Sequence, residues 1–244
     1  MPNIKAIVEY DGTDFCGFQK QPVVPTIQGE LERALRTLFR QDVKVIGAGR
    51  TDAGVHATGQ VISFQAPEAF PLDRICPAMN GRLPLSIRIK DAREVPETFH
   101  ARYSAKSRTY TYIVLNRSTP TALLARYTWH VTQPLDLEAM RSGGAGLIGR
   151  HNFASFGMPE REGGSTIRRV IEFRLGRRKD AVVFAIKADA FLSGMARAIV
   201  GTLVEVGQGK RSPEEVAAIL AACDRQAAKA SAPPRGLFLT GVEY

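Results

Sequence analysis

Gly47-Ala-Gly-Arg-Thr-Asp-Ala-Gly-Val-His-Ala-Thr-Gly-Gln60 is the stretch on which the reading of this chain turns. It lies between Val43-Lys-Val-Ile46 and Val61-Ile-Ser-Phe64, two short runs rich in β-branched residues that read as strands. Four glycines in fourteen residues allow positive φ and a close approach of the backbone to a ligand. At the centre, Arg50-Thr51-Asp52 sets a cation and a carboxylate one residue apart. A loop held between strands and carrying such a pair is where catalytic groups tend to sit. The residues alone leave a second reading open, a tight turn in which Asp52 hydrogen-bonds its own backbone.

Upstream of this stretch, Ile4–Tyr10 alternates as a strand, and Asp11-Gly-Thr-Asp14 breaks it into a loop holding Phe15, Phe18, Gln19 and Lys20. Those aromatic rings suit either base stacking or anchoring of the loop. Thr26 then caps an amphipathic helix with Ile27, Leu31, Leu35 and Leu38 on one face, although Gly29 stands where a capping box would have Glu. Downstream, Pro71–Leu83 reads as a short helix and Ile87–Val95 as a strand. The order strand, helix, strand, strand, helix, strand is the split βαβ, or ferredoxin-like, arrangement also used by RNA-recognition modules.

Phe99–Ala105 reads as the crossing into a second half with a similar order. There Lys106–Leu115 is a strand with Tyr110 and Tyr112 on one face, since strand side chains two apart share a face. Leu135–Leu147 is expected to be a helix. Thr166–Leu175 and Ala181–Asp189 are expected strands, joined by the basic turn Gly176–Asp180 and preceded by a polar, mobile insertion at Met158–Ser165. Helical periodicity returns at Phe191–Leu203 and at Pro213–Cys223, with Ser212 as N-cap. Two glycine patterns are rejected. Gly144–Gly149 ends a helix instead of opening one, and in Gly201–Lys210 a phosphate loop would need glycine at Val204 and Ser or Thr at Arg211.

Composition sets the bounds. The chain has 244 residues, 44% of them apolar, enough for a substantial core. Its net charge of +9 comes largely from clustered arginines, including Arg168, Arg169, Arg174, Arg177 and Arg178, which favour a polyanionic partner. Three scattered cysteines and four unpaired histidines give neither a disulfide framework nor metal-ligand spacing, so no metal is expected. No apolar run has membrane-spanning length and the start is not built like a signal peptide, so the expected setting is cytoplasmic, with no membrane partner.

Gly49-Arg-Thr-Asp-Ala-Gly-Val-His-Ala57 resembles the active-site signature of the tRNA pseudouridine synthase A family. Further resemblances run along the chain: Tyr10-Asp-Gly-Thr13 and Gly17-Phe-Gln19; Ala101-Arg-Tyr-Ser-Ala105 followed by Arg108-Thr-Tyr110; and Phe191-Leu-Ser-Gly-Met-Ala-Arg-Ala-Ile-Val-Gly201. Asn152 and Ala196 depart from the family's residues at their positions. The resemblance implies an α+β fold of two ferredoxin-like halves, 1–102 and 103–244, with adjoining, mainly antiparallel sheets, outer helices and a central active-site cleft. It implies a cofactor-free isomerisation of uridine to pseudouridine at nucleotides 38, 39 and 40, in the anticodon stem-loop of tRNA, by a homodimer. Asp52 maps onto the catalytic carboxylate, Tyr110 onto the active-site tyrosine and Arg197 onto the motif arginine. Arg50, Thr51, His56, Tyr110, Phe18, Gln19, Arg177 and Arg178 are the expected substrate-binding residues. Two rivals are weighed against this: an RNA-binding module without chemistry, and a hydrolase, which would usually need a second carboxylate opposite Asp52.

Overall fold

The structure, a computed structural model, describes residues 1–67 and 70–244. In chain order its elements begin β1 (Asn3–Tyr10), α1 (Ile27–Phe39), β2 (Ile46–Gly47), β3 (His56–Gln65), α2 (Leu72–Asn80), β4 (Ile87–Val95) and β5 (Ser107–Asn116). They continue with β6 (Trp129–Val131), α3 (Leu137–Ala145), β7 (Gly149–Asn152), β8 (Ile167–Arg178), β9 (Ala181–Ala188), α4 (Met195–Gly207), α5 (Pro213–Ala222) and β10 (Leu237–Glu243). This is the α+β class expected, and it divides into two compact units. One is Met1–Lys106 with Phe238–Tyr244, the other Ser107–Leu237. The C-terminal strand, read from the sequence as part of the second half, therefore belongs mostly with the first.

In the first unit β1 lies between β3 and β4, antiparallel to both. The other edge of β3 takes β2 at Ile62 and Ser63 and, in parallel, β10 at His56 and Ala57. Strict alternation in β1 sends Ile4, Ala6, Val8 and Tyr10 inward, all at most 2% exposed. Helix α1 buries Ile27, Leu31, Ala34 and Leu35. Leu31 and Leu35 are fully buried, each contributing about 1.5–3 kcal/mol relative to exposure. Thr26 Oγ1 accepts from Gly29 N at 3.2 Å, so the cap forms without the capping-box Glu. A smaller cluster gathers Ala48, Val61 and Ala101 with Ile46, Phe99, Val242 and Tyr244.

The expected strand at Val43–Ile46 is short because its backbone bonds elsewhere. Val45 N donates to Glu32 Oε1 (3.2 Å) and Val45 O accepts from Gln28 Nε2 (3.0 Å), so α1 side chains replace a strand partner. Conversely β3 starts at His56, which shortens the loop that carries Arg50 and Asp52 to the residues between Gly47 and His56.

The second unit orders its strands β5-β9-β8-β7, all antiparallel, with β6 parallel to β5. Helix α4 is apolar nearly all round and buried along most of its length, from Met195 to Gly207. Asp136 caps α3 by accepting from Glu138 N and Ala139 N, and the helix ends at Ala145, inside the glycine pattern rejected above. The basic turn is tighter than expected. Arg178 pairs with Ala181, so only Lys179 and Asp180 turn, with Lys179 at φ 54°, and Arg177 and Arg178 are strand residues on opposite faces. In the segment expected to be a mobile insertion, Met158 exchanges backbone hydrogen bonds with Ser193 (3.2 and 2.9 Å).

Candidate active site

The loop carrying Arg50-Thr51-Asp52 is held from three directions within the first unit. From one side comes the loop after β1: Phe18 N donates to Thr51 O (3.0 Å) and Gly54 N to Phe15 O (3.4 Å). The two loops approach so closely that a Cβ on Gly12 would sit 1.9 Å from Val55 O, so only glycine fits there. Within the loop, Val55 N donates to the Asp52 main-chain O (3.1 Å), a backbone turn. Of the glycines in the opening stretch, Gly54 has positive φ (74°), whereas Gly47 makes room for the Phe18 ring.

From beneath comes Tyr10, at the inner end of β1. Its hydroxyl lies 2.8 Å from Thr51 Oγ1 and accepts from Gln60 Nε2 at 3.4 Å. Gln60 Nε2 also donates to Gly49 O (2.7 Å), so one buried amide and one buried phenol hold residues on both sides of Arg50. Burial pushes the Tyr10 phenol up to about 12, with the hydrogen bonds to Thr51 and Gln60 opposing that shift. It therefore stays protonated, able to donate to Thr51, throughout the neutral range.

The third support is His56, 1% exposed, whose ring stacks on Phe238 of β10 (4.8 Å between centroids, 25°). Its Nδ1 lies 3.0 Å from Gly12 N and 3.1 Å from Asp11 Oδ1. One nitrogen cannot both accept from an N–H and donate to a carboxylate. The Gly12 amide donates to this nitrogen, and Asp11 is a near neighbour. His56 is thus a buried strut in this structure. Phe18, 3% exposed and 6.5 Å from the Tyr10 ring, is likewise an anchor of its loop; of the two readings its sequence left open, packing is what the geometry shows. Gln19 and Arg50 are exposed, Thr51 is buried, and Asp52 is half-buried, its loop fixed in place.

In the second unit, Tyr110 of β5 is 8% exposed and meets Phe191 edge-on, 4.8 Å between centroids. Arg197, in the first turn of α4, donates from Nε to Ala232 O (2.8 Å), while Ala232 N donates to Arg197 O (3.0 Å). Next to it Tyr112 donates to Pro233 O (2.7 Å); burial pushes its phenol up, and Arg235 and Arg197 pull it back. Arg177 is tied to Asn116 Oδ1 through Nη2 (2.8 Å), and Arg178 is exposed on the other face of β8. Asn152 accepts from Ala154 N (3.1 Å), and Ala196 is buried in α4. Among the described residues no group of three or more His, Cys, Asp or Glu is placed to hold a metal ion. No helix among them is long and apolar enough to cross a membrane.

A family profile described as tRNA pseudouridine synthase matches residues 6–104 and 145–244, most of both units. The chain belongs to the tRNA pseudouridine synthase family. Proteins named tRNA pseudouridine synthase A are similar to it along nearly their whole length. The one from Halalkalibacterium halodurans is 46% identical over 98% of this chain and 91% of its own. Those from Brevibacillus brevis and Acetivibrio thermocellus are 43% and 42% identical over the full length of both chains. The matched segments of the tRNA pseudouridine synthase profile contain Arg50, Asp52, His56 and Arg197, and Tyr110 falls between them.

Proposed function

We propose that this protein isomerises uridine to pseudouridine in tRNA, at nucleotides 38, 39 and 40 of the anticodon stem-loop, with Asp52 as the catalytic carboxylate. The observation that carries this reading is the bracing of Asp52: a half-buried carboxylate on a loop clamped by backbone bonds, a buried phenol and a buried amide. Such preorganisation is what a reacting group needs and a solvated turn does not. In the reaction the N1–C1′ bond breaks and C5–C1′ forms, C5 gives up its proton to water and N1 gains one. Electrons balance without an acceptor.

Asp52 attacks C1′ or ring C6, or supports the departing uracil while C2′ is deprotonated; every route needs its negative charge. Tyr110 is proposed to stack on the uracil and to exchange a proton through its hydroxyl, and Arg197 to balance the Asp52 charge. A stem uridine must leave its helix first, at a cost of about a few kcal/mol, and the exposed Arg50 suits the vacated stack. Thr51 and His56 serve by holding the loop, Gln19, Arg177 and Arg178 by contacting RNA. A cytoplasmic homodimer completes the proposal.

The test uses tRNA carrying tritium at uridine C5. Wild-type protein is expected to release label without added cofactor. Asp52→Ala is expected to bind tRNA but release none, since affinity rests mainly on phosphate contacts. Asp52→Glu is also expected to fail, because one methylene misplaces the carboxylate. Undiminished release by Asp52→Ala would remove Asp52 from the chemistry. No release by wild type on several unmodified tRNAs would leave only an RNA-binding module.

A further inference from the structure

We infer that Tyr103 is a stacking platform for an unpaired base of the RNA this protein acts on, a residue given no role above, and the inference rests on that RNA-directed reading. The chain has 12 Phe, 6 Tyr and 1 Trp, and among all of them Tyr103 alone is exposed, at 73%. Every other ring is buried or half-buried. A ring left in water forgoes burial that its neighbours obtain, so it calls for an explanation.

The ring is also held. His100 stacks on it, 4.4 Å between centroids and 26° between planes. His100 Nδ1 accepts from the backbone N–H groups of both Arg102 and Tyr103 (3.2 Å each), so the imidazole lies on the same turn that presents the tyrosine. His100 N donates to Ser104 Oγ (3.0 Å) and Ser104 N to His100 O (2.9 Å), closing the turn. Between them Ala101, fully buried, donates to Ser63 Oγ (3.2 Å) and accepts from the Tyr244 hydroxyl (2.8 Å), which fastens the turn to β3 and to the end of the chain. A flexible exposed tyrosine would lose rotamer freedom on binding; the His100 stack leaves this one less to lose.

Charge selects the occupant. The Arg102 guanidinium lies 5.7 Å from the ring centroid and Lys106 is exposed three residues on, in a chain of net charge +9. An exposed ring with a cation over it and another nearby fits a base with its phosphate better than an apolar protein surface. The base must be unstacked, so it comes from a loop, a bulge or a splayed nucleotide.

The test is tRNA affinity and fluorescence with the full chain. Tyr103→Ala is expected to weaken binding by about 5- to 150-fold, the range for losing one base–aromatic stack. Tyr103→Phe is expected to bind like wild type, Tyr103→Leu like Tyr103→Ala, and the dependence on salt to keep its slope because no phosphate contact is lost. With Tyr103→Trp, added tRNA is expected to quench the new indole emission above the Trp129 background. The inference is overturned by wild-type affinity in Tyr103→Ala, by Leu serving as well as Phe, or by an unquenched indole. A loss in Tyr103→Ala that tracks a loss of self-association in sedimentation would assign the ring to a second copy of this chain and overturn it too. Label release from tritiated tRNA by wild type judges the isomerase proposal separately: a protein that stacks a base but releases nothing keeps Tyr103 and loses the catalytic reading.

Discussion

Tyr10→Phe isolates the brace beneath the loop that carries Asp52. The substitution keeps the buried ring and deletes one hydroxyl, the partner of Thr51 Oγ1 at 2.8 Å. Thr51 is 6% exposed, so water cannot fully replace that bond, and a buried group left unpaired costs about 1–3 kcal/mol. At about 2 kcal/mol the thermal midpoint should fall by about 4–8 °C for a chain of this size. Thr51→Val in the same background should add little, because removing both partners avoids the orphan; the double-mutant cycle then reports the coupling. Turnover should fall by up to about 100-fold, the consequence of about 1 Å of slack at a reacting group, while tRNA affinity holds. There is also a signature in pH. The phenol is about 12 when folded against 10.0 as a free side chain, so the unfolded chain loses its proton first. Its contribution is complete below pH 10 and is lost as pH rises to 12, about 3 kcal/mol in all. Urea midpoints between those pH values should therefore drop more steeply for wild type than for Tyr10→Phe. Equal slopes, with a wild-type midpoint and wild-type turnover, would show that the hydroxyl holds nothing.

Other outcomes follow from the same geometry. The proposed proton exchange at Tyr110 predicts that Tyr110→Phe binds tRNA normally and turns over about 10²–10⁴-fold more slowly in the tritium assay; near-normal turnover would reduce the residue to its contact with Phe191. Neutralising Arg177, Arg178 and Lys179 together should flatten the slope of log affinity against log salt. Since Arg177 and Arg178 face opposite ways and Arg177 is engaged by Asn116, Arg178 should account for more of the change. Gly12→Ala places a methyl 1.9 Å from Val55 O and should destabilise the first unit, seen as a lowered urea midpoint together with loss of activity.

The order of elements was legible because periodicity reports it directly: β1 alternates, α1 repeats every three to four residues, and both fold as read. What failed to show were bonds that span the sequence. Alternation places Tyr10 on the buried face of β1, but nothing near it names Thr51 and Gln60 as the partners of its hydroxyl. The Val43–Ile46 run has strand composition, yet Gln28 and Glu32 of α1 take its backbone bonds. Arg177 and Arg178 look like turn residues because charge and glycine surround them; a tight turn at Lys179-Asp180 extends the strand through both. Composition could not tell a ring that anchors a loop, Phe18, from one that faces water, Tyr103. Tertiary packing makes that distinction.

The parallel seat of β10 on β3 carries a consequence for biosynthesis. His56 and Ala57 gain their strand partner, and His56 the Phe238 ring it stacks on, from residues translated after the whole of Ser107–Leu237. While the nascent chain is still on the ribosome, the first unit can collapse around β1, β3, β4 and its helices, but that stretch of the β3 edge stays open. His56 keeps Gly12 as its partner but lacks the Phe238 ring that packs against it until the second unit has been made. A chain that stops short of Phe238 leaves behind an N-terminal unit with an unpaired stretch of strand edge, the kind of surface that invites edge-to-edge pairing.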